Sequence, residues 1–140
     1  MNVDLVAIFQ LISVVVAWSM AQIIKGSLGY LSFTKKDFFS KSGGMPSSHT
    51  ASASAFFFSE LFFHGLSSFS ILALLFLVVI MVDAIGVRYA TGKNAQVLKK
   101  IVSDKKLQKE LVLKNGHKKI EVFAGLVLGL VVSLIIFLVI

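Results

Sequence analysis

The sequence predicts an all-α integral membrane protein, a compact bundle of four transmembrane helices with a basic, partly helical cytoplasmic loop before the last one. Three observations carry this. The 140 residues are 56% hydrophobic, above the ~45–50% usual for soluble domains. Mean hydropathy is +0.88. The basic residues behind the net charge of +7 gather in two of the three connections between apolar segments. One domain, residues 1–140, suits this length.

The first apolar segment, Leu5 to Ile24, is about one bilayer crossing long. It holds Gln10, Ser13, Ser19 and Gln22 but no charge, and Trp18 lies near its end. Asn2 and Asp4 precede it, so it lacks the basic start of a cleaved signal peptide. The second segment, Pro46 to about His64, is short and starts polar. The third, Phe69 to Ala90, carries Asp83 and Arg88 in its last third. The fourth, Ile120 to Ile140, is apolar apart from Glu121 and Ser133.

The connection after the first segment carries Lys25, Lys35, Lys36 and Lys41. The one after the third runs from Lys93 to Lys119 and is lysine-rich. In it Leu98, Ile101, Val102, Leu107 and Leu111 recur roughly at helical spacing, either as a helix on lipid headgroups or as a solvated basic helix. Asn115-Gly116 reads as a helix stop. The hairpin Gly65 to Ser68 has no basic residue. Positive charge marks the cytoplasmic side, which predicts both termini outside. The chemically able residues of all four segments then meet at the cytoplasmic face.

Three short constellations stand out there. In "GGMPSSH", Gly43 and Gly44 permit backbone closed to other residues, and Pro46 suits a first helical turn. Ser47 and Ser48 either cap the helix or, with its free N–H groups, hold an anion beside His49. In "GHKKIE", His117 and Glu121 share a helix face, so the carboxylate either orients the imidazole or complements the helix dipole. In "DAIGVR", Asp83 and Arg88 either form a packing ion pair or offer a guanidinium fork to phosphate. Lys25 is one more cation at that level, or an ordinary end to a span. The absence of cysteine excludes disulfides and thiolate metal sites, and the three histidines lack ligand spacing, so no metal or cofactor is expected. Nothing suggests nucleic-acid binding.

These residues, with "AQIIK" at 21–25, resemble the divergent branch of the type-2 phosphatidic acid phosphatase superfamily, related to vanadium haloperoxidases. The wider superfamily carries Lys-x6-Arg-Pro, Pro-Ser-Gly-His and Ser-Arg-x5-His-x3-Asp. Pro46, Ser47, Ser48 and His49 match the second motif, with serine in place of glycine. His117 matches the third-motif histidine, and Glu121 stands where the aspartate would be. Arg88 lies far upstream of His117 rather than six residues before it, and no Arg-Pro follows Lys25. Six helices are usual in the membrane enzymes, and a smaller bundle implies a second copy to enclose its site.

The resemblance implies a metal-independent phosphatase acting on a lipid phosphate or polyprenyl diphosphate in a bacterial-type cytoplasmic membrane. His117 would be the nucleophile, Glu121 its orienting partner and His49 the acid for the leaving group. Gly44, Ser47, Ser48, Arg88 and Lys25 would hold phosphate oxygens, with Asp83 and Pro46 in support. Two rivals come from other classes. One is a non-catalytic protein that binds anionic headgroups or a partner through the basic loop. The other is a small transporter or channel subunit using Asp83 and Glu60.

Overall fold

A computed structural model describes residues 3–30, 44–111 and 115–140. Lys35, Lys36, Lys41, Gly43 and Lys114 lie outside the described residues. The described elements are all helical: α1 (Val3–Ser27), α2 (Ser48–His64), α3 (Ser68–Ile85), α4 (Val87–Ile101), α5 (Lys105–Glu110) and α6 (Lys119–Val139).

Among the described residues, three stretches are long and apolar enough to cross a membrane: Asp4–Ser27, Ser68–Ile101 and Lys119–Val139. The expected fourth span, α2, is a helix of only 17 residues, about 25 Å at 1.5 Å per residue, against ~30 Å of hydrocarbon. It is the enclosed member of the bundle, packed against α6, α1 and α3. Its Ser48, Thr50, Ala51, Ala53, Ser54, Ala55, Ser59 and Glu60 are buried. The other helices shelter its hydroxyls, which explains how so polar a helix sits in so apolar a chain.

Small residues let α2 and α6 touch backbone to backbone. A Cβ on Gly125 would stand 2.5 Å from the Ser47 carbonyl oxygen. Ser54 Oγ donates to the Leu126 carbonyl at 2.7 Å. Ser133 Oγ donates to the Ala55 and Gly129 carbonyls at 2.9 and 2.8 Å. The buried cluster of Ala17, Ala21, Ala51, Ala55 and Val132 continues this seam onto α1. Between apolar helices in lipid, such close packing and interhelical hydrogen bonding take over from the hydrophobic effect. The large side chains point outward instead: Leu72, Leu75 and Val79 of α3 are exposed.

Helix ends set the turns. Beyond α1, Tyr30 N donates to Lys25 O at 2.9 Å and Gly29 N to Gly26 O at 3.1 Å, with Gly29 at φ +73. This Schellman arrangement closes the helix end. Ser67 and Ser70 exchange side-chain and backbone hydrogen bonds at 2.7 and 3.1 Å, a capping box that starts α3.

Three expectations change here. Gly86 breaks the third apolar segment, so Arg88 belongs to a separate helix, α4. Pro46 is not in the first helical turn of α2, because Ser47 is the N-cap and the helix begins at Ser48. Asn115-Gly116 does not stop the basic helix, since α5 ends at Glu110. The asparagine–glycine pair instead leads into α6.

Candidate active site

The N-termini of α2 and α6 lie side by side. Ser47 N donates to the Glu121 carbonyl at 2.9 Å, joining the cap of one helix to the first turn of the other. Ser47 Oγ accepts from Thr50 N at 3.4 Å and from Thr50 Oγ1 at 2.9 Å. The serine is therefore a helix cap, and its neighbour His49 is carried on the first turn of α2 with its side chain exposed.

His117 is held from three directions. Its backbone N donates to the Ala84 carbonyl of α3 at 3.0 Å. Its Nδ1 meets Glu121 Oε2 at 3.0 Å. Gly116, at φ +80, lets the chain pass so close that a Cβ there would stand 2.3 Å from Tyr89 N. Glu121 Oε2 also accepts from Lys118 N at 3.0 Å, the carboxylate half of a capping box. The carboxylate thus contacts both the imidazole and the backbone N–H at the start of α6.

With Glu121 as acceptor, Nδ1 carries the proton and Nε2 keeps its lone pair. His117 is only 5% exposed. Burial, helped by the Lys25 ammonium, pushes its pKa below the ordinary imidazole value, while the Glu121 hydrogen bond and charge pull it back up. The net direction is downward, which favours a neutral, nucleophilic ring near pH 7.

A cavity of about 110 Å³ lies in front of these groups. Ser47, His49, Asp83, Arg88 and His117 line it, with Ile80 and Ala84 of α3 as its apolar wall. That is room for several waters or one tetrahedral oxyanion. Arg88 Nε donates to Asp83 Oδ2. Both side chains are partly exposed, at 45% and 37%, so this is an ion pair at the cavity rim rather than a buried packing pair. The Nε edge of the guanidinium is taken by Asp83, and the terminal nitrogens are the remaining donors.

The other site residues stand behind this cavity. Lys25 is buried, 1% exposed, and its Nζ donates to Ser48 Oγ at 3.2 Å. Ser48 is thereby engaged by Lys25, and neither side chain lines the cavity. The Lys25 charge still reaches Glu121, His49 and His117. Gly44, at φ +88, packs where a Cβ would come within 2.8 Å of the Tyr30 side chain. It fits the chain against the end of α1 rather than facing the cavity. Pro46 is buried beside it.

Sequence reasoning missed the contributions of Gly116, Gly125 and the Ala84 carbonyl. A signal existed for Gly125, which stands four residues before Gly129 on one helix face. The Ala84 carbonyl had none, since every residue offers one. Among the described residues, no group of three His, Cys, Asp or Glu side chains is placed to hold a metal ion.

A family model described as "Divergent PAP2 family" matches residues 7–132. The chain is also similar to the "Uncharacterized membrane protein YuiD" of Bacillus subtilis (strain 168). The two are 34% identical over 152 residues, covering 95% of this chain and 96% of that protein. No solved structure matches the chain.

Proposed function

The chain belongs to the Divergent PAP2 family, and on that footing we propose that it is a membrane phosphatase that hydrolyses a lipid phosphate or polyprenyl diphosphate through a phosphohistidine, without a metal ion. The observation that carries this reading is the Glu121-held His117 facing a small cavity that Arg88 and His49 also line.

The proposed reaction has two halves. His117 Nε2 attacks phosphorus, and the bond from phosphorus to the leaving oxygen breaks as His49 protonates that oxygen. Glu121 stabilises the charge that appears on the His117 ring. Water then attacks the phosphohistidine, giving its proton to His49, and the P–N bond breaks to return His117 and inorganic phosphate. Arg88, the Ser47 end of α2 and the charge of Lys25 would stabilise the negative oxygens, since phosphoryl transfer depends on positioning and electrostatics. Asp83 would hold Arg88 in place. Ser48 and Gly44 would act through Lys25 and through the loop's shape, respectively.

The test is phosphate release by purified protein in detergent with EDTA, offered phosphatidic acid, phosphatidylglycerophosphate and polyprenyl diphosphate. Release from at least one, abolished in His117→Ala, is expected. No release from any, or equal release by His117→Ala, would overturn the proposal.

A second reading is favoured by the exposure of Val97, Leu98, Ile101 and Leu107 among the lysines of α4 and α5. Such a surface suits anionic headgroups. As the whole function, it requires that charge reversal at Lys99, Lys100, Lys105 and Lys106 abolish activity in the cell while His49→Ala and His117→Ala do not. The proposed orientation follows the basic residues, with the cavity on the cytoplasmic face and the α2–α3 hairpin outside.

A further inference from the structure

A larger cavity lies at the other end of the bundle. Glu60 is twelve positions after Ser48 on α2, about 18 Å along the helix axis. Beside it is a space of about 530 Å³ lined by Ala7, Gln10, Glu60, His64, Ser67 and Phe69, among others. Sites for small amphiphiles have this size and this make-up, mostly apolar walls with a few placed polar groups.

Glu60 is only 6% exposed. Its Oε2 accepts from Gln10 Nε2 at 2.6 Å and lies 3.1 Å from His64 Nδ1. Among the described residues both contacts fall on Oε2, so Oε1 is the oxygen left for a ligand. A carboxylate buried in an apolar chain is costly, which makes it a candidate for a functional group. The phosphatase reading does not use it.

Charge and shape together indicate the ligand. Among the described residues, this end of the bundle carries Asp4, Glu60 and His64, the last paired with Glu60 Oε2, and no lysine or arginine, so a cationic head complements the remaining oxygen, Oε1. A primary ammonium fits better than a quaternary one, because a carboxylate oxygen accepts its N–H. Phe69 also walls a second, wholly apolar space of about 370 Å³ shared with Phe56, Leu72, Ala73 and Phe76. An apolar surface therefore leads away from Glu60 for two turns of α3, about 10 Å.

We propose that this cavity binds a primary alkylammonium group on an apolar chain, with the ammonium on Glu60 and the chain along Phe69 and Phe76. The source is either an amine-headed lipid or a free long-chain amine. The site is independent of the phosphatase reading, and His117→Ala is expected to leave it intact.

The test is calorimetric titration of the full chain in neutral maltoside micelles, with blank micelles subtracted. Dodecylammonium should saturate at one per chain. Dodecyltrimethylammonium should bind at least tenfold more weakly, and dodecanol should not saturate. Glu60→Gln should weaken dodecylammonium at least tenfold. Ser68→Lys, an exposed change at the cavity wall, should do the same and covers the case in which Glu60→Gln fails to fold. Dodecanol binding as tightly as the amine, unchanged affinity in the folded variants, or no saturable amine binding would each overturn the proposal. Retention of phosphatidylethanolamine through delipidation by the wild type, but not by Glu60→Gln, identifies a lipid source. Saturation by dodecylammonium without that retention identifies a free amine.

Discussion

His117 Nδ1 and Glu121 Oε2 meet at 3.0 Å across one turn of chain, and the same carboxylate oxygen caps the helix that carries it. The orientation of the imidazole is thus tied to the start of α6. If His117 is the nucleophile, Glu121→Gln removes the charge while keeping size and acceptor capacity. The expected loss in kcat is about 10²- to 10⁴-fold with little change in KM. Steady-state kinetics on the best substrate would check it, and an unchanged kcat would detach Glu121 from the chemistry.

The lowered pKa of His117 gives a pH signature. With the neutral ring as the proposed nucleophile, the pH–rate profile should have a rising limb below the ordinary imidazole value of about 6.5, and the need for a protonated His49 gives it a falling limb as well. Lys25→Met removes one cause of the lowering and should move the rising limb upward. The same shift affects stability. The unfolded histidine binds its proton more readily than the folded one, so this contribution is full above about pH 6.5 and is lost as pH falls through the folded value. A pH–rate profile of the two proteins checks the direction.

Arg88 gives Nε to Asp83 and faces the cavity with its remaining donors. Arg88→Lys keeps the charge but loses the planar fork, and a drop of about 1–3 kcal/mol in transition-state binding is expected. Asp83→Asn should weaken the reaction through a mispositioned Arg88, and the double variant should lose less than the sum of the two. Strict additivity in this kcat/KM cycle would mean the two residues act separately.

The α2–α6 seam should tolerate no added carbon. Gly129→Ala would place a Cβ 2.4 Å from the Ala51 carbonyl oxygen. The backbones must move apart, at an expected cost of about 1–3 kcal/mol. Ala124→Gly, on the same helix but away from this contact, should cost no more than about 1 kcal/mol through helix propensity alone. Thermal or denaturant unfolding in detergent distinguishes them.

Orientation is checked by labelling. Leu66, in the α2–α3 hairpin, is 83% exposed. Leu66→Cys should react with a membrane-impermeant thiol reagent from outside intact cells, and Ser103→Cys should not. The reverse pattern would invert the topology.

Much of this was legible in the sequence for a local reason. Long apolar runs form helices of about membrane length, and most of the lysines fall in the connections between them, so segment positions and the crowding of able residues toward one end follow from order alone. His117 and Glu121 were legible as a pair because four positions is one helical turn. Asp83 and Arg88 were legible as partners, but not the break at Gly86 that puts them on two helices.

By itself, then, the sequence determined an all-helical, membrane-length chain with His49, His117, Arg88 and Lys25 toward one end. Only the tertiary structure decided which of them share a cavity. It turned Lys25 onto Ser48, placed Gly44 against Tyr30, and set Arg88 and His49 opposite His117. It also made α2 the enclosed helix, because Ser54 and Leu126, 72 positions apart, are brought to hydrogen-bonding distance. The physical reason is that hydropathy and helical period act over neighbouring residues. Which helix faces touch depends on the small side chains of both partners at once, and no local pattern records that pairing.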